Sequence, residues 1–366
     1  MGGNMNKEGY VLAINPGSTS TKIAVYKDDL CVKSCSLSHS TEEIKKYDKI
    51  YDQKDMRTAV ILEWLKTEKI ALENLSGVVG RGGLLRPMSG GTYIVTEAML
   101  EDLKLGFQGE HASNLGGIIA YEIAKDIGIP AFIVDPVAVD EFEAVARISG
   151  LPELPRRSLV HALNIKAVTR RVCNNIGRKF EESSYVVAHL GGGISIAPVK
   201  NGRIIDVNNA NEEGPFSPER AGGLPVGDVV KMAYSGKYTY KELKKKLIGE
   251  AGLTAYLGTN DGRVVDGLIE QGNKDAEAIL KAMAYQIAKE IGAYSTALKG
   301  KVDAVILTGG LAYNKRLVNW IRERTEFIAP LEVVPGEDEM QALYEGAFRV
   351  INGEETAKIY ENETVR

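Results

Sequence analysis

The chain uses the surroundings of Asn15-Pro16-Gly17-Ser18-Thr19-Ser20-Thr21-Lys22 twice, and this repeat constrains its fold more than any other feature. Without gaps, Tyr10, Val11, Ala13, Gly17 and Ser20 fall on Tyr185, Val186, Ala188, Gly192 and Ser195, an offset of 175 residues (185 minus 10). In each copy a strand-length apolar run enters a turn of glycine and hydroxyl residues and leaves through a second strand-like run. Two such hairpins predict two related halves, each with a turn chemically suited to an anion.

In the first copy, Tyr10 to Ile14 is broken by Pro16-Gly17, and Lys22 to Tyr26 resumes before Asp28-Asp29 turns the chain again. Gly17 lets backbone N–H groups approach an anion closely, Ser18, Thr19, Ser20 and Thr21 offer hydroxyls, and Lys22 adds a point charge. A Walker loop is excluded, because no Gly-Lys-Ser/Thr triplet occurs and a strand follows where that motif needs a helix. For the same reason, and because no G-x-G-x-x-G follows the first strand, a dinucleotide-dependent oxidoreductase is disfavoured.

A chain of 366 residues exceeds the size at which single cores stop growing, so two domains are expected. A net charge of -4 offers no electrostatic basis for binding nucleic acid or an anionic membrane. Cys31, Cys35 and Cys173 form no C-x-x-C pair and suit a reducing compartment. Met1 to Gly9 is polar and lacks an apolar signal core, and no run reaches the ~18 apolar residues of a membrane span, which together predict a cytoplasmic protein.

Strand-length runs alternate with amphipathic helices, the pattern of an α/β protein. Helices are predicted at 57–66, 97–105, 114–127, 159–176, 275–298 and 315–324, and strands at 77–79, 93–96, 131–134, 185–189, 194–199, 203–207 and 302–307. Asn201-Gly202 is a hairpin turn signal, and Lys244-Lys245-Lys246 reads as a solvated helix face. Chemistry-bearing residues gather at strand ends. Asp135 closes the 131–134 strand, His189 enters Gly191-Gly192-Gly193, His111 precedes the 114–127 helix, and Gly309-Gly310 to Asn314 links a strand to a helix. Singly, each reads equally well as a turn cap or a structural histidine.

Taken together, the Asn15 to Lys22 loop, His111-Ala112-Ser113-Asn114, Val134-Asp135-Pro136, Ala188-His189-Leu190-Gly191-Gly192-Gly193 and Thr308-Gly309-Gly310 resemble the motifs of the acetate and butyrate kinase family, in the family's order from about Val11 to Val350. The resemblance implies a duplicated ribonuclease-H-like, actin-like ATPase fold, with 9–156 plus a returning 340–366 as one half and 157–339 as the other, and nucleotide in the cleft between them. It implies ATP or ADP with Mg2+ as cofactors, a small carboxylate or acyl phosphate as substrate, and a homo-oligomer. Asn15, Ser18 and Ser20 then organise magnesium and phosphate with Gly17 and Lys22, while Gly191, Gly192, Gly193, Gly309, Gly310 and Asn314 hold the nucleotide. Arg81 grips anionic oxygen, Asp135 is the family aspartate, His189 donates to the transferring group with His111 nearby, and Glu339 serves the metal, with Asp338 as its alternative.

The chain departs from acetate kinases where these carry Gly-Thr-Arg-Ser-Gly-Asp. It has Gly222-Gly223-Leu224-Pro225-Val226-Gly227-Asp228 instead, leaving Arg220 as the nearest second arginine. That stretch and Gly82-Gly83-Leu84-Leu85-Arg86-Pro87 resemble the butyrate kinase branch, with branched-chain, acetate and propionate kinases as alternatives. The 82–93 stretch beside Arg81 is expected to wall the acyl pocket. A chaperone-like or filament-forming ATPase of the same superfamily is the rival from another class, marked by ATP hydrolysis that needs no carboxylate.

Overall fold

The computed structural model describes residues 9–364, so the polar lead segment up to residue 8 and the last two residues of the expected first half lie outside it. The chain divides into two units, one of residues 1–140 and 338–366 and one of 141–337.

In the first unit, β1 (Tyr10–Pro16), β2 (Ser20–Lys27) and β3 (Leu30–Ser38) run antiparallel in turn, while β4 (Leu75–Arg81) lies parallel to β1 and β6 (Ala131–Val134) parallel to β4. β5 (Thr92–Ile94) and a short terminal strand at Lys358–Ile359 complete the sheet. Asp28 and Asp29 both take positive φ, 48° and 63°, giving the tight two-residue turn that a right-twisted hairpin prefers. β3 escapes a periodicity reading because it is an edge strand with mostly exposed residues on both faces. Helix Asn114–Ile127 packs on β4, β6 and β1, and the returning helix Glu339–Ile351 also packs on β1, β4 and β6.

In the second unit, β7 (Ser184–Leu190), β8 (Ile194–Lys200) and β9 (Arg203–Ile204) run antiparallel in turn, while β10 (Ala304–Gly309) lies parallel to β7 and β11 (Leu331–Pro335) parallel to β10. The order β11-β10-β7-β8-β9 repeats β6-β4-β1-β2-β3 strand for strand, in the same directions. The sequence repeat is therefore a repeat of β1 in β7. Alternation along β7 sends Val186, Ala188 and Leu190 into the core with helix Lys274–Ala297, and turns Tyr185, Val187 and His189 to the other face, toward helix Ala162–Asn175.

Two expectations need correction. The division between units falls after Asp140 and not after 156, because the intervening segment bonds within the second unit: Glu141 accepts from Lys166 Nζ at 2.9 Å and Ile204 N at 2.7 Å, and Arg156 reaches Asp206 at 2.8 Å and Val207 O at 2.9 Å. The return to the first unit begins at Asp338, so Glu339 belongs to the first unit and not to the second as expected. β9 ends at Ile204, short of 207, since the Ile205 carbonyl accepts from Glu143 N and Asp206 turns to Arg156. No helix among the described residues is long and apolar enough to cross a membrane.

Candidate active site

Parallel pairing of β1 with β4, with Ile14 beside Gly80, brings Asn15 and Arg81 out at adjacent strand ends. The start of helix Asn114–Ile127 docks directly on this edge. A side chain at Gly80 would meet Gly116 O at 2.0 Å, so only glycine permits the approach that carries His111 and Ser113 up to Arg81. Asn114 fixes the loop after Arg81 by accepting from Leu84 N at 2.9 Å and donating to Gly109 O at 3.0 Å. Glu339, in the first turn of its helix, closes the group: Asn15 Nδ2 donates to one carboxylate oxygen at 2.6 Å, and Arg81 Nη1 donates to the other. Asp338 instead caps that helix through Gln341 N.

Asn15, Gly17, Ser20, Lys22, Arg81, His111, Ser113, Val137 and Glu339 line a common cavity of about 260 Å3. Loss of solvent around the ring, then the Arg81 charge, lower the His111 pKa from its ordinary value, so the ring is neutral at pH 7. His111 Nδ1 accepts from Ser113 N at 3.2 Å, leaving the ring proton on Nε2. Ser18 is exposed at the loop tip. Thr21 is not a ligand donor as expected, because strand parity turns it inward with Ile23 and Val25, where it bonds His39 Nε2 at 2.8 Å. Asp135 lies buried outside this lining at φ 38°, its carboxylate accepting from Gly91 N at 2.7 Å. Leu85, Met88 and Tyr93 are packed in the core, so the 82–93 stretch does not wall the cavity as expected. The cavity's apolar side chains are Pro16 and Val137.

In the second unit, His189 is buried with Nδ1 2.9 Å from Asn164 Oδ1, while Nε2 lies 3.0 Å from Glu337 Oε1 without the alignment of a hydrogen bond. His161 stacks on it, with centroids 4.0 Å apart and planes 11° apart, and its Nδ1 is 2.9 Å from Ser195 Oγ. His161 is the less buried ring and was missed by sequence reasoning, though it begins the helix leading into the second hairpin. Arg220 lies against Gly193, where any side chain would come within 2.2 Å of its Nη1. Ser217 Oγ binds Gly192 O at 2.5 Å and accepts from Arg220 N at 3.2 Å, tacking the arginine's turn to the glycine loop. Burial lowers the Arg220 pKa, yet among the described residues its guanidinium has no hydrogen-bond or ion-pair partner.

A larger cavity of about 780 Å3, within the range of small-molecule sites, is lined by Gly191, Gly192, Gly310, Asn314, Glu337 and the 260–270 segment with Asp261, Arg263 and Asp266. Sequence reading overlooked this last segment, whose short glycine-bearing helix has no distinctive motif. Asn314 caps helix Lys315–Thr325 through Leu317 N. Gly309 is required by φ 88° and by a backbone approach that would set a side chain 2.5 Å from Leu190 O, whereas Gly310 faces open space.

The acetokinase family matches residues 153–357. A protein of Caldanaerobacter subterraneus subsp. tengcongensis described as probable butyrate kinase 2 is 55% identical over 350 residues, spanning 96% of this chain and 99% of that one. Porphyromonas gingivalis acetate kinase superposes with a TM-score of 0.76 at 19% identity, covering 93% of this chain and 99% of its own, and a propionate kinase from Francisella tularensis subsp. tularensis SCHU S4 with 0.70 at 17%, covering 92% and 98%. The duplicated sheet and these likenesses define a kinase of the actin-like ATPase fold. Within that class, the chain belongs to the acetokinase family.

Proposed function

We propose that this chain is a cytoplasmic butyrate kinase, transferring a phosphoryl group reversibly between butanoyl phosphate and ADP to give butanoate and ATP. The observation that carries the reading is Arg220: its half-buried guanidinium has no hydrogen-bond or ion-pair partner among the described residues, Glu219 acting on it only through its charge, and a phosphoryl group or carboxylate supplies the direct partner. The relative named as a butyrate kinase directs the choice of acid.

A carboxylate nucleophile is ionised at neutral pH, far above a carboxyl pKa of ~4, and needs no general base. Catalysis then rests on alignment and on cations and donors that share the charge of the phosphoryl oxygens. In this reading the first-unit cavity holds the carboxylate and the transferring group through Arg81 and Lys22, with the chain of the acid on Val137. The larger cavity takes the nucleotide, its phosphates at Gly191, Gly192 and Gly310. The His161–His189 stack donates to phosphoryl oxygen through the more accessible ring.

Magnesium fits the residues present. Mg2+ takes one or two carboxylates together with substrate phosphates, and Glu339 with the Asn15 side-chain oxygen offers that set, Asn15 Nδ2 being already committed to Glu339. The ion would neutralise phosphate charge there. Exposed Val226, Val230, Tyr234 and Tyr240 support a homo-oligomer. Acyl hydroxamate formation from ATP, Mg2+ and butyrate tests the reading, and ATP hydrolysis with no carboxylate requirement would overturn it.

A further inference from the structure

Arg57 is the largest fully buried side chain, at 0% exposure, and it faces no carboxylate among the described residues. Burying an unpaired guanidinium is costly, and burial indeed depresses its pKa, although arginine stays charged. Its donors are instead spent on the first loop. Nη1 donates to Gly17 O at 2.9 Å, Ser20 O at 3.1 Å and Thr21 Oγ1 at 3.0 Å, and Nη2 donates to Ser18 O at 3.2 Å. Nε and Nη2 hold Gln53 Oε1, which fixes the plane of the fork. The Thr19 carbonyl is also drawn inward, accepting from His39 N at 2.9 Å.

Because a trans peptide is planar, a carbonyl held inward turns the next residue's N–H outward. The inward carbonyls of Gly17 and Ser18 therefore aim the amides of Ser18 and Thr19 away from Arg57. Both residues are exposed, and neither amide has an acceptor among the described residues. Successive outward amides form a concave anion seat, here backed by a buried positive charge whose hydrogen-bond partners among the described residues are all uncharged carbonyl and hydroxyl oxygens.

We propose that Arg57 is a positioning residue for phosphoryl transfer: it sets the peptide planes of the 17–20 loop so that the Ser18 and Thr19 amides receive phosphate oxygens, and its charge is balanced across the loop by the bound anion. The inference rests on the kinase reading but concerns a residue that touches no substrate.

The test uses the full chain and two variants. Arg57→Met removes charge and donors, while Arg57→Lys keeps the charge but lacks the planar fork. In the lysine variant, with cooperative unfolding retained, kcat should fall about 100-fold, the scale of losing a transition-state donor, while KM for butyrate stays within roughly threefold, since Arg81 and Val137 are untouched. A purely structural arginine would lower the melting temperature without altering ligand response. Inorganic phosphate should raise the wild-type melting temperature above sodium chloride of equal ionic strength, and this increment should vanish in the lysine variant. An active wild type alongside a lysine variant that keeps its kcat and its phosphate increment would overturn the inference, as would a wild type lacking that increment. A wild type without carboxylate-dependent transfer would instead overturn the kinase reading.

Discussion

Gly193→Ala should disable the second unit's arginine without unfolding it. The added Cβ would lie 2.2 Å from Arg220 Nη1 and 2.7 Å from its Cζ, whereas ordinary contact begins near 3.4 Å, so the guanidinium must retreat by about 1.2 Å (3.4 minus 2.2). The atoms that move are the far end of a flexible side chain, and Gly193 is not at positive φ, so the backbone carries no strain. A displacement of about 1 Å in a positioned group costs on the order of 100-fold in rate. The expected result is a kcat/KM for butyrate reduced by about that factor at saturating ATP, with unfolding shifted by no more than about 1 kcal/mol. Arg220→Ala should show a similar deficit, and the double variant should be little worse than either, because both changes remove one interaction. Near-normal kcat/KM in Gly193→Ala, or additive losses, would refute the assignment of Arg220 to the anion.

Two further outcomes separate charge from structure. Asp135→Asn keeps an oxygen for Gly91 N and a residue type tolerant of φ 38°, so stability should hold within about 1 kcal/mol while turnover falls by roughly two orders of magnitude. Retained turnover would leave the carboxylate with only its structural bond. His39 is held neutral, chiefly by burial and then by the Arg57 charge, so its pKa lies below the ordinary 6.5. The unfolded state therefore binds the proton first, and stability present above about pH 6.5 is lost as pH falls through the lower folded value. Melting temperatures measured from about pH 7 to 5 should decline less in His39→Gln than in the wild type, and parallel slopes would show that this ring does not titrate with unfolding.

Local signals made part of the fold legible. Helices Glu97–Leu105 and Asn114–Ile127 end at Gly106 and Gly128 in left-handed conformation, a stop readable from sequence alone, and strand 131–134 is bounded by proline on both sides. Segment 141–156 was not legible, because its allegiance depends on ion pairs with residues dozens of positions away. The cavity residues Asn15, Arg81, His111 and Glu339 come from four separate segments, and the family motifs rather than any periodicity marked them. Arg57 did leave a trace that went unused: with Ile61 and Leu65 it occupies the buried stripe of its helix at four-residue spacing, where an arginine is out of place unless it has acceptors. Thr21 was likewise readable from strand parity with Ile23.

The central claim, a carboxylate kinase tuned to a four-carbon acid, is tested most directly by kcat/KM for butyrate against acetate in one preparation, with ATP and Mg2+ saturating. Each methylene moved from water to an apolar wall is worth about 0.8 kcal/mol, so the two that distinguish these acids favour butyrate by roughly tenfold in a fitting pocket. The account predicts a ratio of about that size. Acetate used at least as well as butyrate would contradict it.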